Sequence, residues 1–112
     1  MKKYNYGELY INNVLYEVKE VQKHDENLII NYRLCEGVFY GTKKLIYLNG
    51  DACLTEKKRT LAHELTHAFL FETQLNHKDL YTEEEVCRFI ELYSFIILEL
   101  VKEFYNIKKK TS

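Results

Sequence analysis

Thr60-Leu61-Ala62-His63-Glu64-Leu65-Thr66-His67-Ala68-Phe69-Leu70 decides how this chain is read. Leu61, Leu65, Ala68 and Phe69 recur at helical spacing, so the segment is an amphipathic helix with its apolar stripe toward a core. The helix is expected to start at Thr55, a good N-cap before Glu56, and to run to about Glu72. His63 and His67 are four residues apart, which on a helix stacks them one turn above the other on one face. Two imidazoles so placed can share one Zn²⁺. Glu64 follows the first imidazole and is rotated round the helix, so it reaches a water at the metal without ligating the metal. Zinc lowers the pKa of such a water to about 7. A carboxylate there accepts the water's proton as a carbonyl carbon is attacked, then passes it to the leaving amine. The pattern points to a zinc-dependent endopeptidase with Glu64 as general base.

Two histidines meeting by chance on one helix are the plain alternative. Only four His occur in the chain. Two of them fall at this spacing with Glu in the required slot, which favours the metal.

A catalytic zinc needs a third protein ligand and an open fourth position. Downstream, Thr82 and Glu85 form a capping box at the start of a second helix. Val86, Phe89, Ile90, Tyr93, Ile97, Leu100, Val101 and Phe104 then recur every three or four residues, which predicts one long amphipathic helix to about Ile107. Its first turn carries Glu83-Glu84-Glu85. Glu85 is committed to the capping box. Glu83 lies three, four and seven residues before Val86, Cys87 and Ile90, which are expected to face the core, so Glu83 is the first choice of ligand. Glu84, one position round, is the second. Acidic residues at a helix start also complement the helix dipole with no ligand role.

Upstream of the histidines the chain reads as β. Glu8–Ile11 and Val14–Val21 alternate around Asn12-Asn13, a tight-hairpin signal. Leu28–Leu34 is a third apolar run. Val38–Tyr40 and Leu45–Leu48 flank Gly41–Lys44 as a second hairpin. Leu45-Ile46-Tyr47-Leu48 lies just before the histidine helix and is either an ordinary core strand or an edge that holds an extended substrate by strand addition. Tyr81, Tyr93 and His77 are candidate oxyanion stabilisers, and His24 reads as a loop residue.

Thr60–Leu70 together with Glu83-Glu84-Glu85-Val86-Cys87-Arg88-Phe89 resembles the ImmA/IrrE-type metallopeptidases, and in particular the short single-domain members of phages and integrative elements. The resemblance covers about residues 38–98 and, weakly, the first hairpin. It implies a gluzincin-like site in which a second helix supplies a Glu ligand, and its frame, running from a Glu to a Phe six residues on, starts here at Glu83 and ends at Phe89. It also implies a mobile-element regulatory protein as substrate. The chain departs from the family at Thr66, where Gly is usual, and at Cys87, where Asn or Asp is usual. The second departure removes a polar neighbour of the metal histidines.

Composition narrows the rest. A net charge of −1 gives no electrostatic support for nucleic acid or an anionic membrane as partner. No stretch approaches the roughly 20 apolar residues of a membrane span. Lys2 and Lys3 are followed by Asn5, Gly7 and Glu8 rather than an apolar run, so no secretory signal is read. Three cysteines without a C-x-x-C pair argue against a disulfide framework and favour reduced thiols in a cytoplasm. The expectation is one α+β domain over residues 1–112, with a small antiparallel sheet packed on a zinc-binding helix and a long C-terminal helix. A non-catalytic, zinc-stabilised interaction module is the second hypothesis, and a fourth protein ligand such as His77 or a Cys would favour it.

Overall fold

Asn12 and Asn13 take φ of 51° and 69°. Asn tolerates this left-handed region. The two residues turn β1 (Tyr6–Ile11) directly into β2 (Val14–Val21), with pairs running from Tyr6 opposite Lys19 to Ile11 opposite Val14. The computed structural model describes residues 3–75 and 80–106.

After β2 the chain leaves the sheet. Asp25 caps a 3₁₀ turn at Glu26–Leu28, and a miniature hairpin follows, β3 (Ile29–Ile30) and β4 (Arg33–Leu34). The single strand expected over Leu28–Leu34 is therefore replaced by a reversal. Its cause is positive φ at both Asn31 and Tyr32, which turns the chain back on itself. β5 (Gly37–Tyr40) and β6 (Leu45–Asn49) then form the second hairpin.

The main sheet has the order β1-β2-β6-β5. Its outer pairs are antiparallel, whereas β2 and β6 run parallel, Val18 beside Ile46 and Glu20 beside Leu48. The excursion through residues 22–36 makes this possible, since parallel neighbours need a crossover. β6 is thus an interior strand. Leu45, Ile46, Tyr47 and Leu48 have neighbours on both sides, so they are no edge for a substrate. Ile46 and Leu48 are fully buried, as core residues are.

Leu9, Ile11, Tyr16, Val18, Ile46 and Leu48 form one sheet face. Two helices cover it: α1 (Leu54–Glu72) through Leu61, Leu65, Ala68 and Phe69, and α2 (Glu83–Asn106) through Ile97, Leu100, Val101 and Phe104. The α+β expectation holds. α1 begins at Leu54 with Cys53 in the cap position, so Thr55 lies inside the first turn rather than capping it. The capping box of α2 forms as expected. The Glu85 N–H donates to Thr82 Oγ1 at 3.1 Å, and the Thr82 N–H donates to Glu85 Oε1 at 2.9 Å.

The fully buried contacts of α2 lie in its second half, where Phe104 packs over Gly7 of β1, while Phe89 and Tyr93 are half-buried against the core beside Phe69 of α1. Val86, Cys87 and Ile90 are exposed, contrary to the inward face expected for them. The helical period is right, but in those turns the half-buried line runs through Phe89, and Val86 only rims a cavity beside α1.

One buried charge ties the layers together. Glu20 on β2 accepts from the Asn5 N–H at 3.0 Å and from Tyr105 Oη at 2.8 Å. Lys57 Nζ of α1 lies 3.2 Å from its Oε2. A single carboxylate therefore joins the N-terminal segment, the sheet and both helices.

Candidate metal centre and active site

α1 places His63 and His67 on its outer face with ring centroids 4.9 Å apart. His67 lies flat against Phe39 of β5 (centroids 6.3 Å apart, planes 14° apart). Phe39 is fixed in turn by Tyr16 and Phe71. This partial burial, and then repulsion from His63, lowers the pKa of His67. The ring is held in the neutral form that ligates metal.

Glu64 points a different way. Its residue surface is only 6% exposed, because the side chain lies under β5. A Cβ placed on Gly37 would stand 3.1 Å from Glu64 Oε2 and 2.5 Å from Thr60 Cγ2. Glycine at 37 is what lets the strand approach the helix this closely. Burial pushes the Glu64 carboxyl up to about 7, with no hydrogen bond or ion pair from the described residues offsetting it. Histidine pair and carboxyl thus present different faces of one helix, as the motif requires. An open cleft of about 390 Å³ lies at His63 and Glu64, walled by Glu36, Gly37, Glu56, Arg59 and Thr60.

β5 is the free edge beside this cleft. Asn49 N–H donates to Glu36 O at 2.8 Å. Bonded pairs alternate in an antiparallel ladder, so Val38 and Tyr40 bond to β6 while the main-chain groups of Gly37 and Phe39 point away from it. These are also the two residues whose Cα–Cβ directions face α1. Sequence reasoning passed over Gly37 and Phe39, although a glycine inside a strand is itself a signal of close backbone approach.

The carboxylates of α2 are elsewhere. Glu83 and Glu84 are exposed in its first turn. Among the described residues no third His, Cys, Asp or Glu joins His63 and His67 in a group able to hold a metal. His77 lies outside the described residues. The donor set therefore fits zinc at two positions, with the third unfilled by any described side chain. Between α1 and the start of α2 lies an apolar cavity of about 290 Å³, bordered by Thr66, Leu70, Tyr81, Val86, Phe89 and Tyr93. Tyr81 donates its hydroxyl to Leu75 O, and Tyr93 packs between Phe69 and Phe89. The Tyr81 hydroxyl is thus engaged by a backbone carbonyl, and Tyr93 serves the helix–helix core. His24 is exposed on its loop, as expected.

Gly37→Ala is expected to cost about 1–3 kcal/mol of stability, and so to lower the thermal midpoint, through overpacking against Thr60. Thr60 is β-branched and stiff on a helix, so it gives way poorly. Thr60→Ser, which removes the offending methyl, should recover most of the loss in the double variant, as read by thermal melts. Additive losses would place the strain elsewhere.

No curated protein and no solved structure matches the chain. A family model does: the IrrE N-terminal-like domain, a peptidase family, over residues 18–93. That match takes in the second half of β2, the whole of α1 and the opening turns of α2, more than half of the chain, and on it the protein belongs to the IrrE N-terminal-like peptidase family.

Proposed function

We propose that this protein is a zinc-dependent endopeptidase acting on an extended stretch of a protein substrate. The observation that carries the proposal is Glu64: a buried, unpartnered carboxyl, raised to about 7, beside two histidines on adjacent turns. His63 and His67 would hold the metal. Glu83 would complete the site by the family's frame, with Glu84 as alternative. For either to do so, the start of α2 must draw in toward α1, and the apolar cavity between them leaves room for that. Zinc, when bound, acts as a Lewis acid on the scissile carbonyl and acidifies water.

The chain's own residues supply the rest. Glu64, with a pKa near working pH, is poised both to accept a proton and to return one to the leaving amine. Gly37 and Phe39 offer outward main-chain groups that align a peptide as an added strand over the cleft. Tyr81 and Tyr93 have other partners, so the oxyanion is left to the metal side of the site. No described helix is long and apolar enough to cross a membrane, and Cys35, Cys53 and Cys87 are free thiols. A cytoplasmic enzyme is proposed on the free thiols, and a regulatory protein of a mobile element as its substrate on the family resemblance alone.

The test is zinc content of the purified chain, measured beside cleavage of an unfolded protein pool. One zinc per chain with cleavage is expected, and His63→Ala or His67→Ala should abolish both. Zinc without cleavage under any condition would favour the interaction module instead. Removing zinc with a chelator should also lower the thermal midpoint. At a free zinc concentration of 100 Kd, binding adds about 2.7 kcal/mol to stability. His67→Ala should melt identically with and without zinc.

A further inference from the structure

One flank of α2 carries a second pattern, whose first three residues, Glu85, Arg88 and Leu92, also rim the apolar cavity beside α1. Glu85, Arg88, Leu92, Phe95, Glu99 and Lys102 follow one another at alternating steps of three and four, the spacing of a helix–helix seam. Tyr93, Ile97, Leu100, Val101 and Phe104, which face the protein's own core, occupy the opposite side. At the middle of the seam Leu92 is 54% and Phe95 75% exposed, flanked by Ile96 at 46%. Isolated exposed apolar residues need no explanation, but three in adjoining positions on one helix face do.

The order of charges says what covers them. Read forward, the seam is acid, base, Leu, Phe, acid, base. Read backward, it is base, acid, Phe, Leu, base, acid. An antiparallel two-fold centred between Tyr93 and Ser94 therefore sets Leu92 on Phe95, Arg88 on Glu99 and Glu85 on Lys102, each pair formed twice. A parallel pairing would set Arg88 on Arg88 and Glu99 on Glu99, which repels. The seam is about 26 Å long. The Lys102–Glu99 contact within one helix is long, 3.5 Å, and solvated, so exchanging it across an interface costs little. We propose that this face binds a second copy of the chain, with the two α2 helices antiparallel. The interface is isologous, as closed dimers require. None of its residues lines the cleft at His63 and Glu64.

Sedimentation velocity on the full chain over a range of concentrations tests this. A reversible dimer is expected. Arg88→Glu and Glu99→Arg should each weaken it at least about tenfold, because each puts two like-charge pairs into the interface. The double reversal Arg88→Glu/Glu99→Arg should restore dimerisation, since it rebuilds both pairs with opposite polarity. Phe95→Glu should give a monomer whose thermal midpoint, extrapolated to low concentration, equals that of the wild type, because the ring is exposed in the single chain. A monomer at every concentration would overturn the proposal. So would a dimer that survives Phe95→Glu, or single reversals that the double does not rescue.

Discussion

Glu64→Gln is expected to reduce peptide hydrolysis by roughly a hundred- to ten-thousandfold, the usual range for losing a general base, with bound zinc unchanged. The amide keeps the size of the carboxyl and does not disturb His63 or His67, but it accepts no proton. The same substitution has a second signature in metal-free protein. Burial raises the folded-state pKa of Glu64 from 4.5 to about 7, so the folded chain holds that proton more tightly than the unfolded chain does. An acid raised in this way favours the fold below about pH 4.5, and the favour is lost as pH rises toward 7. Metal-free wild type should therefore melt at a lower temperature at pH 8 than Glu64→Gln does. The gap should close by about pH 4.5, where both side chains are neutral. Undiminished cleavage by Glu64→Gln would remove Glu64 from the chemistry. A gap independent of pH would refute the buried-carboxyl assignment without touching the catalytic one.

Glu20→Ala is expected to cost about 3–5 kcal/mol, the loss on breaking a buried ion pair from one side. Lys57 would be left under the sheet without its anion, and the Asn5 N–H and Tyr105 hydroxyl would lose their acceptor. In a domain of this size about 1 kcal/mol moves the midpoint by some 4–8 °C, so thermal melts should show a drop of well over ten degrees. Glu20→Gln should fall between, since it keeps acceptors but not the charge. Tyr105 offers an independent check. Its pKa is raised first by burial, then by the hydrogen bond and charge of Glu20. In Glu20→Gln it should ionise at lower pH, read by ultraviolet absorbance. A midpoint unchanged by Glu20→Ala would mean that the four elements hold together without this clamp.

Local signals were legible wherever one short segment supplies both pattern and answer. Asn12-Asn13 gives its hairpin because both residues accept positive φ. Thr82 and Glu85 cap α2 because a capping box closes within four residues. The period of Leu61, Leu65, Ala68 and Phe69 makes α1 a helix with its stripe on the sheet, and it leaves His63 and His67 outward. The misread stretch, Leu28–Leu34, is rich in apolar residues on both sides of Asn31, and that composition hid the reversal at Asn31-Tyr32.

The His-Glu-x-x-His motif on α1 and the family it belongs to were thus determined by sequence alone, because an i, i+4 pair on a helix needs no partner to be placed. Tertiary structure alone decided what surrounds the motif. It made β6 an interior strand and β5 the free edge, since parallel pairing of β2 with β6 depends on contacts far apart in the chain. It set Gly37 against Glu64, and so gave that carboxyl its burial and its raised pKa. It also left the opening turns of α2 half-covered only along Phe89 and Tyr93, with Glu83, Glu84 and Ile90 in solvent. Helical periodicity fixes which side of a helix is apolar, but where the neighbouring elements stop is a property of their packing.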